Sequence, residues 1–143
     1  MEDEVMTASE QETIELGRRF AARLEPGDVV CLKGELGSGK THFAKGVGSA
    51  LGVSEEEVHS PTFTLIREHR GGETDFFHFD CYRLERIEEA LEIGAEEYFY
   101  GSGVCVIEWP EKIRGIIPED AIWIEIVKES PSLRSFRIGT KPV

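Results

Sequence analysis

The stretch "GELGSGKT", Gly34 to Thr41, constrains this chain more than any other part of it. Gly34, Gly39, Lys40 and Thr41 fill the pattern G-x-x-x-x-G-K-[S/T] without a mismatch. An apolar run, "VVCLK", precedes the stretch and reads as a strand buried on both faces. A helical pattern from Gly39 to Leu51 follows it, with Gly52 as the stop. Flexible residues between two ordered elements make either a tight turn or a loop that wraps an anion. The second reading explains every residue type. Glycines let successive backbone N–H groups curl around phosphate oxygens at φ values that other residues avoid. The following helix aims its positive end at the same place. Lys40 is then placed to reach the β- and γ-phosphates, and the Thr41 hydroxyl to bind Mg²⁺. Glu35, Leu36, Gly37, Ser38 and His42 complete the candidate nucleotide contacts along the loop and first helical turn.

Such a loop works with an acid on a neighbouring strand, which helps to hold the cation and orient water. Two acids end apolar runs. Asp80 closes "FFHFD" and Glu108 closes "VCVIE". Both are expected at the carboxyl edge of a sheet, beside a bound nucleotide. Both are candidate metal ligands and, with Lys40, candidate catalytic residues. The sequence does not divide the duties of the two acids. In "SPTFT", Pro61 stiffens the backbone and Thr62 offers a hydroxyl where a loop becomes a strand. A switch loop that senses the γ-phosphate uses such a threonine; an ordinary strand start also does.

The remaining chain supplies the frame. "SEQE" at Ser9 has the spacing of a capping box, and a helix is expected from there to about Arg23. "SPTFTLIREHR" and "TDFFHFD" flank a Gly71–Gly72 turn and read as a hairpin. Ile87 to Tyr98 reads as one acidic helix, "GVCVIEW" as a second buried strand, and "AIWIEIVKE" with "LRSFRIG" as a C-terminal hairpin. The mixture predicts an α/β fold: a P-loop NTPase-like three-layer sandwich, with central parallel strands and antiparallel hairpin additions. Residues 1–143 are expected to form a single domain.

Charge narrows the function. With 16 basic and 28 acidic residues the formal net charge is −12. Phosphate-led binding of RNA or DNA needs the opposite sign, so direct nucleic-acid binding is not expected. Cys31, Cys81 and Cys105 show no C-x-x-C spacing, as for reduced thiols in a cytoplasmic protein. The acidic start has no signal-peptide character, and no apolar run approaches membrane-spanning length. His59, His69 and His78 are scattered; His78, between Phe77 and Phe79, reads as a strand residue rather than a ligand.

Taken together and in this order, "GELGSGKTHFAKGVGSALG", "SPTFTL", "HFDCYRL" and "VIEWPEK" resemble the TsaE family, also called YjeE. The resemblance spans the chain from the first helix through Pro118. It implies a small bacterial P-loop ATPase that binds ATP and Mg²⁺. Such a protein acts with TsaB and TsaD in making threonylcarbamoyladenosine next to the tRNA anticodon, and meets tRNA only through that complex. It further implies that Thr41 and Glu108 bind Mg²⁺, that Asp80 takes the Walker-B-like position, and that Thr62 belongs to a nucleotide-sensing loop. Trp109 would lie by the nucleotide, and Ser9 and Thr13 would contact its base. His42 and Cys81 depart from the threonine and leucine frequent at those places in the family. Two rivals remain: a small kinase, for which only Arg83 and Arg86 suggest a lid, and a binding module gated by ATP without turnover.

Overall fold

The computed structural model describes residues 3–59, 65–70 and 72–139. Seven strands make one sheet in the order β1-β7-β6-β2-β5-β4-β3. They are β1 (Asp3–Thr7), β2 (Val29–Lys33), β3 (Ile66–His69), β4 (Phe76–Asp80), β5 (Val104–Glu108), β6 (Ile122–Lys128) and β7 (Arg134–Gly139). The four central strands, β6, β2, β5 and β4, run parallel. Antiparallel strands extend both sides: β3 on β4, β7 on β6, and β1 on β7. This is the expected mixed α/β sheet. The central strands carry the continuous apolar runs, as burial on both faces requires. Among the described residues, no helix is long and apolar enough to cross a membrane.

Helices cover both faces. On one, α1 (Glu10–Ala21) and α2 (Lys40–Ala50) pack over a core that includes Phe43, Val106, Ile124 and Phe136. Phe43 lies 5.5 Å from Phe20 and 5.7 Å from Phe136, ring centroid to centroid. Its complete burial contributes about 1.5–3 kcal/mol. On the other face, α3 (Ile87–Glu92), α4 (Ala95–Phe99) and a 3-10 stretch (Pro110–Ile116) enclose Cys31, Phe79, Cys105 and Trp123. All three cysteines are buried and free. Burial raises their thiol pKa values, to about 12 for Cys81 and Cys105, so they stay protonated and act as small apolar residues.

Three features differ from the sequence reading. A strand, β1, forms from the acidic start; its alternating half-buried and exposed residues pair with β7 at the sheet edge. The single acidic helix is two short ones, because Gly94 enters the left-handed region (φ +78°) and separates α3 from α4. The first helix stops at Ala21, two residues early, and a turn carries the chain through Arg23.

Candidate functional site

The sheet topology brings the candidate residues to one edge. β2 runs straight into the loop 34–39, and α2 leaves it. β5 lies beside β2 with Glu108 opposite Leu32, and β4 lies beside β5 with Asp80 opposite Glu108. The C-terminal ends of three parallel strands therefore deliver the loop and both acids side by side. In sequence, 67 positions separate Thr41 from Glu108.

The loop has the backbone its glycines foretell. Gly37 and Gly39 hold φ values of +78° and +107°. A side chain at Gly34 would stand 2.7 Å from the Ile126 carbonyl oxygen, so only glycine fits under β6. Ser38 is buried, and its hydroxyl is among the buried polar atoms without a hydrogen-bond partner. A buried hydroxyl in that condition is expensive unless something else satisfies it. Lys40 is 5 % exposed. Its ammonium donates to the carbonyls of Gly34 and, at 2.9 Å, Glu35, and lies 4.3 Å from the centroid of the Trp109 ring. Burial lowers the Lys40 pKa, while Glu108 leads the acids that oppose the shift.

Glu108 is 3 % exposed. The Thr41 hydroxyl donates to its two oxygens at 3.1 and 3.3 Å, and the His78 Nε2 lies 2.6 Å from Oε2. Asp80 is half-buried and accepts from the Tyr82 N–H at 3.0 Å. Desolvation raises its pKa; the hydrogen bond from Tyr82 opposes this. Trp109 directly follows Glu108 and holds φ +60°, ψ +49°; it is the non-glycine residue with positive φ among the described ones. That left-handed turn lets β5 end and swings the indole over Lys40 and beside Tyr82, whose ring centroid is 4.9 Å away.

A cavity of about 740 Å³ opens over the loop. Ser9, Thr13, Leu36, Gly37, Gly39, Lys40, Thr41, His42, Asp80, Glu108 and Trp109, all candidates from the sequence, line it. Glu35 is exposed and contributes its carbonyl to Lys40. Thr62 lies outside the described residues. Ser9 caps α1 by accepting from the Glu12 N–H at 3.0 Å, and Glu12 in turn accepts from the Ala8 N–H at 2.8 Å. The Thr13 hydroxyl is 2.7 Å from that of Thr7. His42, half-buried, faces Glu10 at 3.5 Å.

α1 reaches the loop because two glycines let it lie against α2. A Cβ on Gly46 would stand 1.9 Å from the Ile14 carbonyl oxygen, and one on Gly17 would stand 2.2 Å from that of Phe43. The crossing is a backbone-to-backbone contact, and it brings the start of α1 to the rim of the cavity.

The C-terminal hairpin reaches the site. Arg134, Pro131 and Ser132 line the cavity, and an Arg134 guanidinium nitrogen donates to the Gly37 carbonyl at 3.1 Å. Lys40 is therefore not the loop's only side-chain cation. The signal was present in "LRSFRIG": Arg134 alternates with buried Phe136 and Ile138, which puts a cation on the α2 face of the sheet.

These groups can cradle a polyanion: N–H groups at a helix start, a desolvated ammonium, a second cation and a hydroxyl beside a carboxylate. Among the described residues, no group of three or more His, Cys, Asp or Glu side chains is arranged to hold a metal alone.

Comparisons with known proteins identify the family. The family model "Threonylcarbamoyl adenosine biosynthesis protein TsaE" matches residues 7–136. The chain belongs to the TsaE family. The match includes the loop, both acids and the start of β7. The TsaE protein of Treponema pallidum is 44% identical over 121 residues, 85% of this chain and 88% of that one. The TsaE protein of Bacillus subtilis is 42% identical over 120 residues, 84% of this chain and 74% of that one. Both are named as tRNA threonylcarbamoyladenosine biosynthesis proteins. The crystal structure of YdiB from Bacillus subtilis superposes with a TM-score of 0.81 at 32% identity, covering 99% of this chain and 87% of that one.

Proposed function

We propose that this protein is the ATP-binding and ATP-hydrolysing component of the machinery that makes threonylcarbamoyladenosine in tRNA. Membership of the TsaE family supports the pathway. The observation that carries the chemistry is the contact between the Thr41 hydroxyl, at the mouth of the phosphate loop, and the buried Glu108 carboxylate.

The residues present fit ATP and Mg²⁺. Gly37 and Gly39 hold the positive φ values with which a loop can wrap an anion in its N–H groups, and Ser38 keeps a buried hydroxyl in the loop with no partner. Mg²⁺ takes oxygen donors and commonly uses one or two carboxylates plus phosphates, not an all-protein cage. Thr41, Glu108 and Asp80 are such donors at one sheet edge. Bound there, Mg²⁺ would neutralise charge developing on the phosphate oxygens.

The chain's own groups do the rest. Loop N–H groups and Lys40 bind and orient the phosphates. Thr41 and Glu108 would hold the cation, and Asp80 or Glu108 would orient the attacking water. Trp109 and Tyr82 pack against each other at that edge, while Ser9, Thr13 and Arg134 line the side left for the rest of the nucleotide. Hydrolysis would drive a cycle in TsaB and TsaD, in the cytoplasm, rather than transfer the threonylcarbamoyl group. Phosphate release, measured for the chain alone and with TsaB and TsaD, tests this. Partner-dependent, Mg²⁺-dependent turnover is expected, and nucleotide binding without turnover under any condition would refute it.

A further inference from the structure

The buried histidine on β4 does not fall within the chemistry above. His78 is fully buried at the middle of the strand, and its Cα pairs with Val106 two residues before Glu108. Its ring reaches along the sheet so that Nε2 stands 2.6 Å from Glu108 Oε2. Glu108 Oε2 thus meets both the His78 ring and, at 3.1 Å, the Thr41 hydroxyl, which also reaches Oε1 at 3.3 Å.

Hydrogen-bond logic fixes the tautomer. Nδ1 of His78 is among the buried atoms without a partner, so a hydrogen placed there would be a stranded donor. An ionised carboxyl can only accept. The arrangement that gives the carboxylate a donor and strands no N–H has Nε2–H donating to Oε2, with Nδ1 bare. Phe76, stacked 6.2 Å from the imidazole, limits rotation of the ring. A carboxylate on a flexible glutamate side chain is thereby held with one oxygen bound and its orientation toward Thr41 set.

We propose that His78 is the positioning residue for Glu108: it does not touch nucleotide or cation, but orients the carboxylate that does. This rests on the reading of Glu108 given above. It also distinguishes His78 from a packed core residue, since packing needs only volume whereas orientation needs a donor at the Nε2 position. Glutamine can supply such a donor; leucine cannot.

The test uses the full chain with His78→Leu, His78→Gln and Glu108→Ala, each checked for folding by thermal melting. Removing a group that orients a metal ligand typically costs 10–100-fold. His78→Leu should therefore lower the rate of ATP hydrolysis about 10- to 100-fold, with affinity for a fluorescent ATP analogue within about twofold. His78→Gln should recover most of that rate. His78→Leu added to Glu108→Ala should cost nothing further, because the two act as one unit. A readout free of turnover accompanies these: the ¹⁵N shifts of the His78 ring should show an Nε2–H tautomer whose Nε2 signal moves in Glu108→Gln. If Glu108→Ala is slow and His78→Leu keeps the parental rate, the His78 role is overturned while the Glu108 role stands. If Glu108→Ala keeps the parental rate, the Glu108 role falls and the His78 role falls with it. If no protein turns over, the reading of the chain as an ATPase falls, and the ring shifts alone decide: an Nε2 signal indifferent to Glu108→Gln overturns the inference.

Discussion

Lys40 and Trp109 are joined as cation and ring, with the ammonium 4.3 Å from the indole centroid. The contact links the first residue of α2 to the residue after β5, so it spans the cavity edge between loop and acid. Both partners carry some cost. The ammonium is desolvated, and the tryptophan backbone sits in the left-handed region, an arrangement of order 1–3 kcal/mol that persists only where its surroundings enforce it.

That pairing makes Lys40 testable by optics. A phosphate competes for the ammonium, so nucleotide binding should change the fluorescence of Trp109. The change should survive Trp123→Phe, because Trp123 is buried in the core and does not line the cavity. Lys40→Ala should remove the contact and weaken nucleotide binding about 10- to 100-fold, as expected for loss of a charged hydrogen-bonding group. Arg134, already on the Gly37 carbonyl, should keep residual binding measurable. Titration of folded mutant protein with a fluorescent ATP analogue checks both statements; parental affinity in Lys40→Ala would contradict them.

Glu108→Ala separates binding from turnover. The carboxylate meets Thr41 and His78, whereas the phosphate cradle is built from the loop and Lys40. Hydrolysis should therefore fall by about 100-fold, the range for a positioned acid or base, while nucleotide affinity changes little. Steady-state phosphate release beside equilibrium binding gives the comparison. A parental rate in the mutant would move the water-orienting role to Asp80.

The helix crossing predicts a large effect from one methyl group. Gly46→Ala would put a Cβ 1.9 Å from the Ile14 carbonyl oxygen, with backbone on both sides of the clash. The helices must separate, at about 1–3 kcal/mol, which exceeds the up to ~1 kcal/mol that alanine gains over glycine in a helix. The melting temperature should drop by several degrees. Nucleotide affinity should fall too, because α1 carries Ser9 and Thr13 to the cavity. A melting temperature equal to or above the parental one would show that the crossing is looser than its geometry.

The loop, its strand and its helix were legible because each rests on local chemistry: a glycine spacing, an apolar run and a helical period. Asp80 and Glu108 were legible because an acid ending a buried strand in a parallel sheet must emerge at the carboxyl edge. β1 was not, since an acidic stretch at a sheet edge gains its pairing from β7, more than a hundred positions away in sequence. Gly94 was read through because glycine within a helical pattern marks either a weak point or a break, and the left-handed conformation chosen here depends on packing. His78 and Arg134 were undervalued for one reason. Each is polar on an otherwise apolar strand face, and its partner lies on another strand or loop that sequence alone does not bring near.

The last prediction concerns partners. Isolated protein should be a feeble ATPase, and a complex of TsaB and TsaD should stimulate it. The cavity's rim explains why. Leu36 is 66% exposed at the tip of the loop and Tyr82 is 45% exposed beside Trp109, so apolar side chains face solvent where water must be excluded during hydrolysis. Other P-loop enzymes gain completion of the site from a second protein in trans. The net charge of −12 opposes direct capture of tRNA, which would then be reached through the partner. Phosphate release by the chain alone, with TsaB and TsaD, and with tRNA alone should show turnover raised only in the second case. Leu36→Ser should reduce the stimulated rate more than the basal rate, since Leu36 stands 66% exposed at the rim of the cavity. Full activity without partners, or stimulation by tRNA alone, would contradict the account of how this site is completed.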